Sequence, residues 1–194
     1  MGAEYELKFR ADEETLSSVF TTFPARWQTI AMETTYYDTP SHALSDRRWT
    51  LRRRMENDRS VCTLKTPGSG LERGEWEVNC DTIEASISEL CKLGAPVELK
   101  TLCAEGLVVS CGARFTRRAG MFTLRDCAFE LALDSGVLLG GGKEIPLYEL
   151  EAEHKEGSRE SMERFAQELA SLYGLQSEEE SKFARALALC REVD

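Results

Sequence analysis

Long apolar runs are missing from this 194-residue chain. Nothing approaches the roughly 20 apolar residues that a membrane-spanning helix requires, so no membrane partner is expected. Histidine is scarce: His42 and His154 are the only two, and neither has a neighbour that suggests a ligand pair or a catalytic triad. Cysteine is present but unorganised. The seven residues Cys62, Cys80, Cys91, Cys103, Cys111, Cys127 and Cys190 include no CxxC pair. An odd, scattered set argues against a disulfide framework or a structural zinc site, and reduced, mostly buried thiols in a cytoplasmic protein are expected. Positive charge is in deficit as well, with 24 Lys and Arg against 34 Asp and Glu for a net charge of −10. That balance disfavours a nucleic-acid partner, because backbone binding rests on neutralising phosphates. The opening MGAEYELKF turns acidic and strand-like at once, unlike a secretory leader. Repeats, low-complexity tracts and linkers are absent, so a single domain over 1–194 is expected.

What the chain does contain is alternation. Glu4, Glu6 and Lys8 alternate with Tyr5, Leu7 and Phe9; Glu75 and Glu77 with Trp76 and Val78; Glu149, Glu151 and Glu153 with Leu150 and Ala152. Arg52 and Arg54 flank Arg53 after Leu51, and Glu130 and Asp134 bracket Ala132 against Phe129, Leu131 and Leu133. Successive side chains on a strand point to opposite faces, so each charged set gathers on one side of a sheet. Turn signals separate these runs at Thr39-Pro40, Glu56-Asn57-Asp58, Pro67-Gly68-Ser69-Gly70 and Gly140-Gly141-Gly142, which predicts antiparallel meanders. Helices are predicted over 12–23, over 82–93 after an Asp81 cap, over 159–173 after Ser158, and over 178–190 after Ser177, whose spacing to Glu180 fits a capping box. Their apolar stripes read as core faces. Trp27, Trp49 and Trp76 read as packing residues.

A wet sheet face would account for any single alternating strand. Taken together, however, these strands repeat bare carboxylates at i and i+2, and neighbouring like charges repel. Cations from other strands (Arg52, Arg54, Lys65, Arg114 and Arg118) can compensate in part, and a hard divalent cation does so better. An acidic patch beside a basic one suits a polyphosphate with its bound metal.

At this point the residues resemble a known family. Glu4-Tyr5-Glu6-Leu7-Lys8 is similar to the ExExK signature of the CYTH, or triphosphate tunnel metalloenzyme, superfamily. Further segments follow in the family's order: Tyr36-Tyr37-Asp38-Thr39-Pro40, Leu51-Arg52-Arg53-Arg54, Thr63-Leu64-Lys65-Thr66, Arg73-Gly74-Glu75-Trp76-Glu77, Phe129-Glu130-Leu131-Ala132-Leu133-Asp134, Glu149-Leu150-Glu151-Ala152-Glu153 and Ser181-Lys182.

The resemblance implies an α+β fold: a closed eight-stranded antiparallel tunnel with a charged interior, flanked by helices. It implies a metal set of Glu4, Glu6, Asp134, Glu149, Glu151 and Glu153 holding Mg²⁺ or Mn²⁺. Phosphates would be gripped by Lys8, Arg52, Arg54, Lys65, Arg114, Arg118 and Lys182. Among Arg114, Arg117 and Arg118, period-2 geometry separates Arg117 from the other two, and the pair Arg114 and Arg118 is the expected choice. Lys8, Lys65, Glu75 and Glu77 are the candidate catalytic residues, while Arg73 reads as an ion-pair partner at the tunnel mouth. The activity implied is metal-dependent hydrolysis of a small triphosphate. Inorganic triphosphate fits best because nothing supplies a base pocket: Trp49 stands an odd number of residues before Arg52 and so points to the opposite face. Thiamine triphosphate hydrolysis, ATP cyclisation and non-catalytic polyphosphate or nucleotide binding are the alternatives.

Overall fold

The alternating segments do form strands: β1 (Glu6–Arg10), β2 (Gln28–Asp38), β3 (Thr50–Glu56), β4 (Arg59–Thr66), β5 (Gly74–Asn79), β6 (Val108–Thr123), β7 (Cys127–Gly140), β8 (Lys143–Gly157) and the two-residue β9 (Gln176–Ser177). Five helices accompany them: α1 (Glu13–Thr22), α2 (Ile83–Lys92), α3 (Glu98–Leu102), α4 (Arg159–Tyr173) and α5 (Lys182–Arg191). This computed structural model describes residues 5–67 and 74–191. Glu4, Arg73 and the turn at Gly68-Ser69-Gly70 lie outside the described residues.

Helix starts follow local capping chemistry. Asp12 accepts a hydrogen bond from the Thr15 amide and Ser158 from the Ser161 amide, while Gly174 takes the left-handed position that ends α4. Two expected caps are corrected. Thr82 rather than Asp81 caps α2, accepting from the Ala85 amide. Helix α5 begins at Lys182 rather than near 178, because Gln176 and Ser177 are drawn into pairing with β1 and the Ser181 hydroxyl takes over the cap.

The strands join one sheet in the order β5-β4-β3-β2-β6-β7-β8-β1-β9, and every neighbouring pair is antiparallel. The expectation of eight strands closed into a tunnel is therefore corrected. The sheet has nine strands, and among the described residues no ladder joins β5 to β9. Closure needs edge strands long enough to pair, and β9 contributes only two residues before the chain turns into α5. The sheet nonetheless curves: Lys65 on β4 and Lys8 on β1, second and eighth in the strand order, line one cavity.

Three apolar clusters hold this shape. Phe9, Phe129, Leu131, Leu133 and Leu150 pack under α1 and α4, joined by Trp27. Leu51, Cys62 and Leu64 pack under α2 and α3, joined by Trp49 and Trp76. The third cluster, Met32, Tyr36, Ala113, Phe115, Leu138 and Leu147, lies on the charged side of the sheet, where α5 covers it with Ala186 and Leu189. Buried Asp38 organises the turn after β2 by accepting from the amides of Thr39, Leu44 and Ser45. All seven cysteines are free, and burial pushes the thiols of Cys103 and Cys111 up to about 11 and about 12. No described helix is long and apolar enough to cross a membrane.

Helix α5 approaches the sheet closely only because Gly140 has no side chain: a Cβ there would meet the Ala186 carbonyl oxygen at 2.1 Å. Gly140→Ala should therefore push α5 off the sheet and lower unfolding free energy by about 1–3 kcal/mol. A urea melt would show this as a lower midpoint with little change in slope.

Candidate active site

Residues opposed across neighbouring strands share a face, and the observed registers place the charged sets in rows. Arg117 on β6 faces Asp134 on β7, which faces Glu149 on β8, which faces Arg10 on β1. One step along, Glu151 faces Lys8; a further step brings Glu130, Glu153 and Glu6 level. On the other half of the sheet Thr34 faces Arg54, Tyr36 faces Arg52, and Lys65 lies between Thr50 and Glu75. These rows border a cavity of about 750 Å³, lined among others by Glu6, Lys8, Arg52, Arg54, Lys65, Arg117, Glu149, Glu151 and Lys182.

The acidic half is dry and closely paired. Asp134 and Glu149 are fully buried and Glu151 nearly so. The Lys182 ammonium reaches down from the first turn of α5 among all three: it donates to Glu149, donates to Glu151 at 2.6 Å, and lies 2.9 Å from an Asp134 oxygen. Arg117 grips Asp134 through two bonds of 2.7 Å and reaches Glu151 at 2.5 Å. Arg185, one turn after Lys182, bonds Glu149 and lies 3.2 Å from Glu178, which Arg10 holds at 2.5 Å. Burial and the neighbouring Glu151 push Glu149 up to about 7, against the pull of Lys182. Burial also opposes the Glu151 charge, but Arg117 and Lys182 outweigh it and hold this carboxyl well below its usual range.

The basic half is loosely paired. Arg52 and Arg54 are nearly buried side by side, yet among the described residues their nearest carboxylates stand 4.0 and 3.8 Å away, at Glu75 and Glu56. The buried Nε of Arg52 has no hydrogen-bond partner among the described residues. Burial, then the neighbouring Arg52, lower Arg54 to about 10. Lys65 is closer to its carboxylate, 3.1 Å from Glu75. Lys8 extends the basic row, 4.0 Å from Glu6 and 3.4 Å from the Glu180 carbonyl.

Set against the sequence expectations, the structure gathers Lys8, Arg52, Arg54, Lys65, Glu75, Glu6, Glu149, Glu151, Asp134 and Lys182 around this one region. Glu153 stands at its margin, 2.6 Å from Lys155. Glu77 shares the face of Thr63 and Arg52 but stands at its edge, half exposed and 3.6 Å from Arg59. Glu4 lies outside the described residues. The choice of Arg114 and Arg118 is corrected. Arg114 is exposed and pairs with Glu144 at 3.3 Å, and Arg118 lies over the Phe20 ring of α1 at 4.6 Å. Arg117 takes the inward position. The period-2 argument separated the residues correctly but chose the wrong face. Arg114 and Arg118 alternate with Thr116 in an ordinary outward row, whereas Arg117 is the lone charge in the row Ala113, Phe115, Arg117, Ala119. A single charge in an otherwise apolar row was the usable signal. Arg185 was also missed; its spacing of three from Lys182 puts both on one helix face. Arg48 and Arg191 at the cavity mouth carried no pattern of their own.

Asp134, Glu149 and Glu151 each offer an oxygen within 4.8 Å of the others, the only such group among the described residues. Hard carboxylate oxygens suit Mg²⁺ or Mn²⁺, and a cation, the Lys182 ammonium, already sits among them. The donor set therefore fits a divalent ion.

The fold and site together are a curved antiparallel sheet with a carboxylate cluster and a group of arginines and lysines bordering one cavity. The chain belongs to the CYTH domain family, whose sequence pattern it matches over residues 2–187. It is 30% identical over 145 residues to an inorganic triphosphatase of Haemophilus influenzae; the match covers 73% of this chain but only 41% of that longer protein. Among solved structures, a Hippeastrum protein described as an adenylyl cyclase candidate with a dominant triphosphatase activity superposes with a TM-score of 0.72 at 19% identity, over 98% of this chain and 97% of its own. A Pyrococcus horikoshii protein superposes with a TM-score of 0.61 at 21% identity, over 95% and 98% of the two chains. At those identities the superpositions speak for the fold.

The two arginines distinguish themselves experimentally. Arg117→Ala strands Asp134 and Glu151 and should remove about 3–5 kcal/mol of stability, whereas Arg118→Ala should remove about 1 kcal/mol or less, both read by chemical denaturation. The pH dependence follows from the depressed Glu151. Its stabilisation is complete above the unfolded carboxylate range near about 4.3 and is lost as pH falls toward its lower folded value. Glu151→Gln should flatten the acid limb of the stability profile measured by thermal melts from pH 7 to pH 3.

Proposed function

We propose that this protein is a metal-dependent triphosphatase acting on inorganic triphosphate or a related small triphosphate. One observation carries the reading: Arg52 and Arg54 stand beside each other, mostly shielded from solvent, with no carboxylate closer than 3.8 Å among the described residues, next to an acidic cluster whose carboxylates are closely paired. Buried cations held apart from counter-ions attract an anion, and paired guanidinium forks suit phosphate oxygens. Kinship with an inorganic triphosphatase supports the same conclusion at the family level.

In this reading Arg52, Arg54, Lys65 and Lys8 bind the phosphate oxygens, neutralising the charge that spreads over the transferred group in a loose transition state. Glu75, against Lys65 and facing Arg52, keeps both side chains oriented into the cavity. Asp134, Glu149 and Glu151 hold Mg²⁺ or Mn²⁺, with Glu6 and Glu153 nearby. When bound, the ion supplies Lewis-acid neutralisation of phosphate charge. Helix α5 closes the cavity on the side of Tyr36 and Leu138, limiting water there. Trp49 packs in the outer apolar cluster and offers no ring to the cavity, which favours an unsubstituted triphosphate over thiamine triphosphate. Seven free thiols, four of them buried, accord with a cytoplasmic setting.

The test is phosphate release from tripolyphosphate, ATP and thiamine triphosphate with Mg²⁺, Mn²⁺ or chelator. Metal-dependent release, greatest with tripolyphosphate, is expected; binding without release would instead identify a polyphosphate-binding module. Arg54→Ala should lower kcat/KM by about 10- to 100-fold, the loss of one charge-assisted hydrogen bond worth about 1.5–3 kcal/mol.

A further inference from the structure

Lys182 was expected among the phosphate ligands, and its position raises a different possibility for how it works. An ammonium has three N–H donors and no acceptor. All three directions are taken up by Glu149, Glu151 and Asp134. In this arrangement Lys182 has nothing left to offer a phosphate oxygen, and it occupies the space among the very oxygens that form the candidate divalent-ion site.

Charge leads to the same point. Three carboxylates face Lys182, Arg117 and Arg185, so the cluster is neutral as it stands. Adding a divalent ion while keeping the ammonium would leave two excess positive charges in a dry site, which is strongly unfavourable. Arg117 is anchored by two bonds to Asp134 on the neighbouring strand, and Arg185 by both Glu149 and Glu178. Lys182 is the member with room to leave. Its stem is flexible, it borders the cavity, and it stands at the first position of α5. There the positive end of the helix dipole disfavours a cation.

We propose that Lys182 is an exchangeable occupant of the acidic cluster. It neutralises Asp134, Glu149 and Glu151 in the metal-free protein and yields its place to an incoming divalent cation. Its released ammonium then turns into the cavity toward the phosphates, and the first turn of α5 loses the Lys182 tether to β7 and β8, keeping Arg185 on Glu149. Lys182 is thus a positioning residue that couples metal arrival to the readiness of the anion site. The inference rests on the metal-dependent reading above, but it concerns metal binding without substrate and can fail while that reading stands.

The experiment titrates Mn²⁺ into the full chain without any phosphate, following free Mn²⁺ by electron paramagnetic resonance. Lys182→Met keeps the stem and removes the competing charge. It should bind Mn²⁺ at least about tenfold more tightly than the native protein. Unchanged or weaker binding, or no binding by either form, would overturn the proposal. Because Lys182→Met leaves three carboxylates facing two arginines, it could fail to fold, and a second measurement uses the native chain alone. Hydrogen exchange of the α5 amides over 184–189 should quicken when Mg²⁺ is added. Exchange that is unchanged or slowed would contradict a released tether. Phosphate release from tripolyphosphate, measured separately, reports on the triphosphatase reading and not on this exchange.

Discussion

The structure turns on the burial of like charges. Asp134, Glu149 and Glu151 each bring an oxygen within 4.8 Å of the others in a dry setting, an arrangement that would drive the strands apart without compensation. Lys182, Arg117 and Arg185 provide it, two of them from α5. The last helix is therefore fixed to the sheet by electrostatics at its first turn and by Ala186 and Leu189 further along. Gly140 permits the approach that both require. This explains how one short helix can lie on the charged side of the sheet, where most of the surface is polar.

The opposite half of the cavity follows a different rule. There the cations are less closely paired among the described residues: Arg52 and Arg54 lie side by side on β3, and burial, then the neighbouring Arg52, lowers Arg54. A fold gains little stability from two shielded cations with no carboxylate closer than 3.8 Å among the described residues. Their placement makes sense as a standing attraction for an anion. The cavity thus joins a closely paired acidic wall to a more loosely paired basic one, which is the complementarity that the proposed polyanion with its bound cation would use.

Much of this was legible beforehand for an identifiable reason. Period-2 alternation is local, so the charged faces of β1, β3, β5, β7 and β8 could be read from neighbouring residues alone, as could the Asp12 and Ser158 caps. The errors fell where non-local pairing decides. Which row of β6 faces inward depends on its register with β7, and that register sets Arg117 against Asp134 rather than turning Arg114 or Arg118 inward. The start of α5 depends on β1 recruiting Gln176 and Ser177 as an edge strand. Openness of the sheet depends on what its two remote edges can reach.

The amino-acid order by itself determined which side chains share a strand face, where most helices begin, and that acidic and basic sets would be segregated, since each follows from bonding and spacing over a few residues. Only the tertiary structure decided how those sets meet: that Lys182 lands among three carboxylates, that Arg117 joins them, and that among the described residues Arg52 and Arg54 have no carboxylate closer than 3.8 Å. Those outcomes depend on strand register and on where α5 comes to rest, and both are settled by the simultaneous burial of apolar surface from segments far apart in the chain.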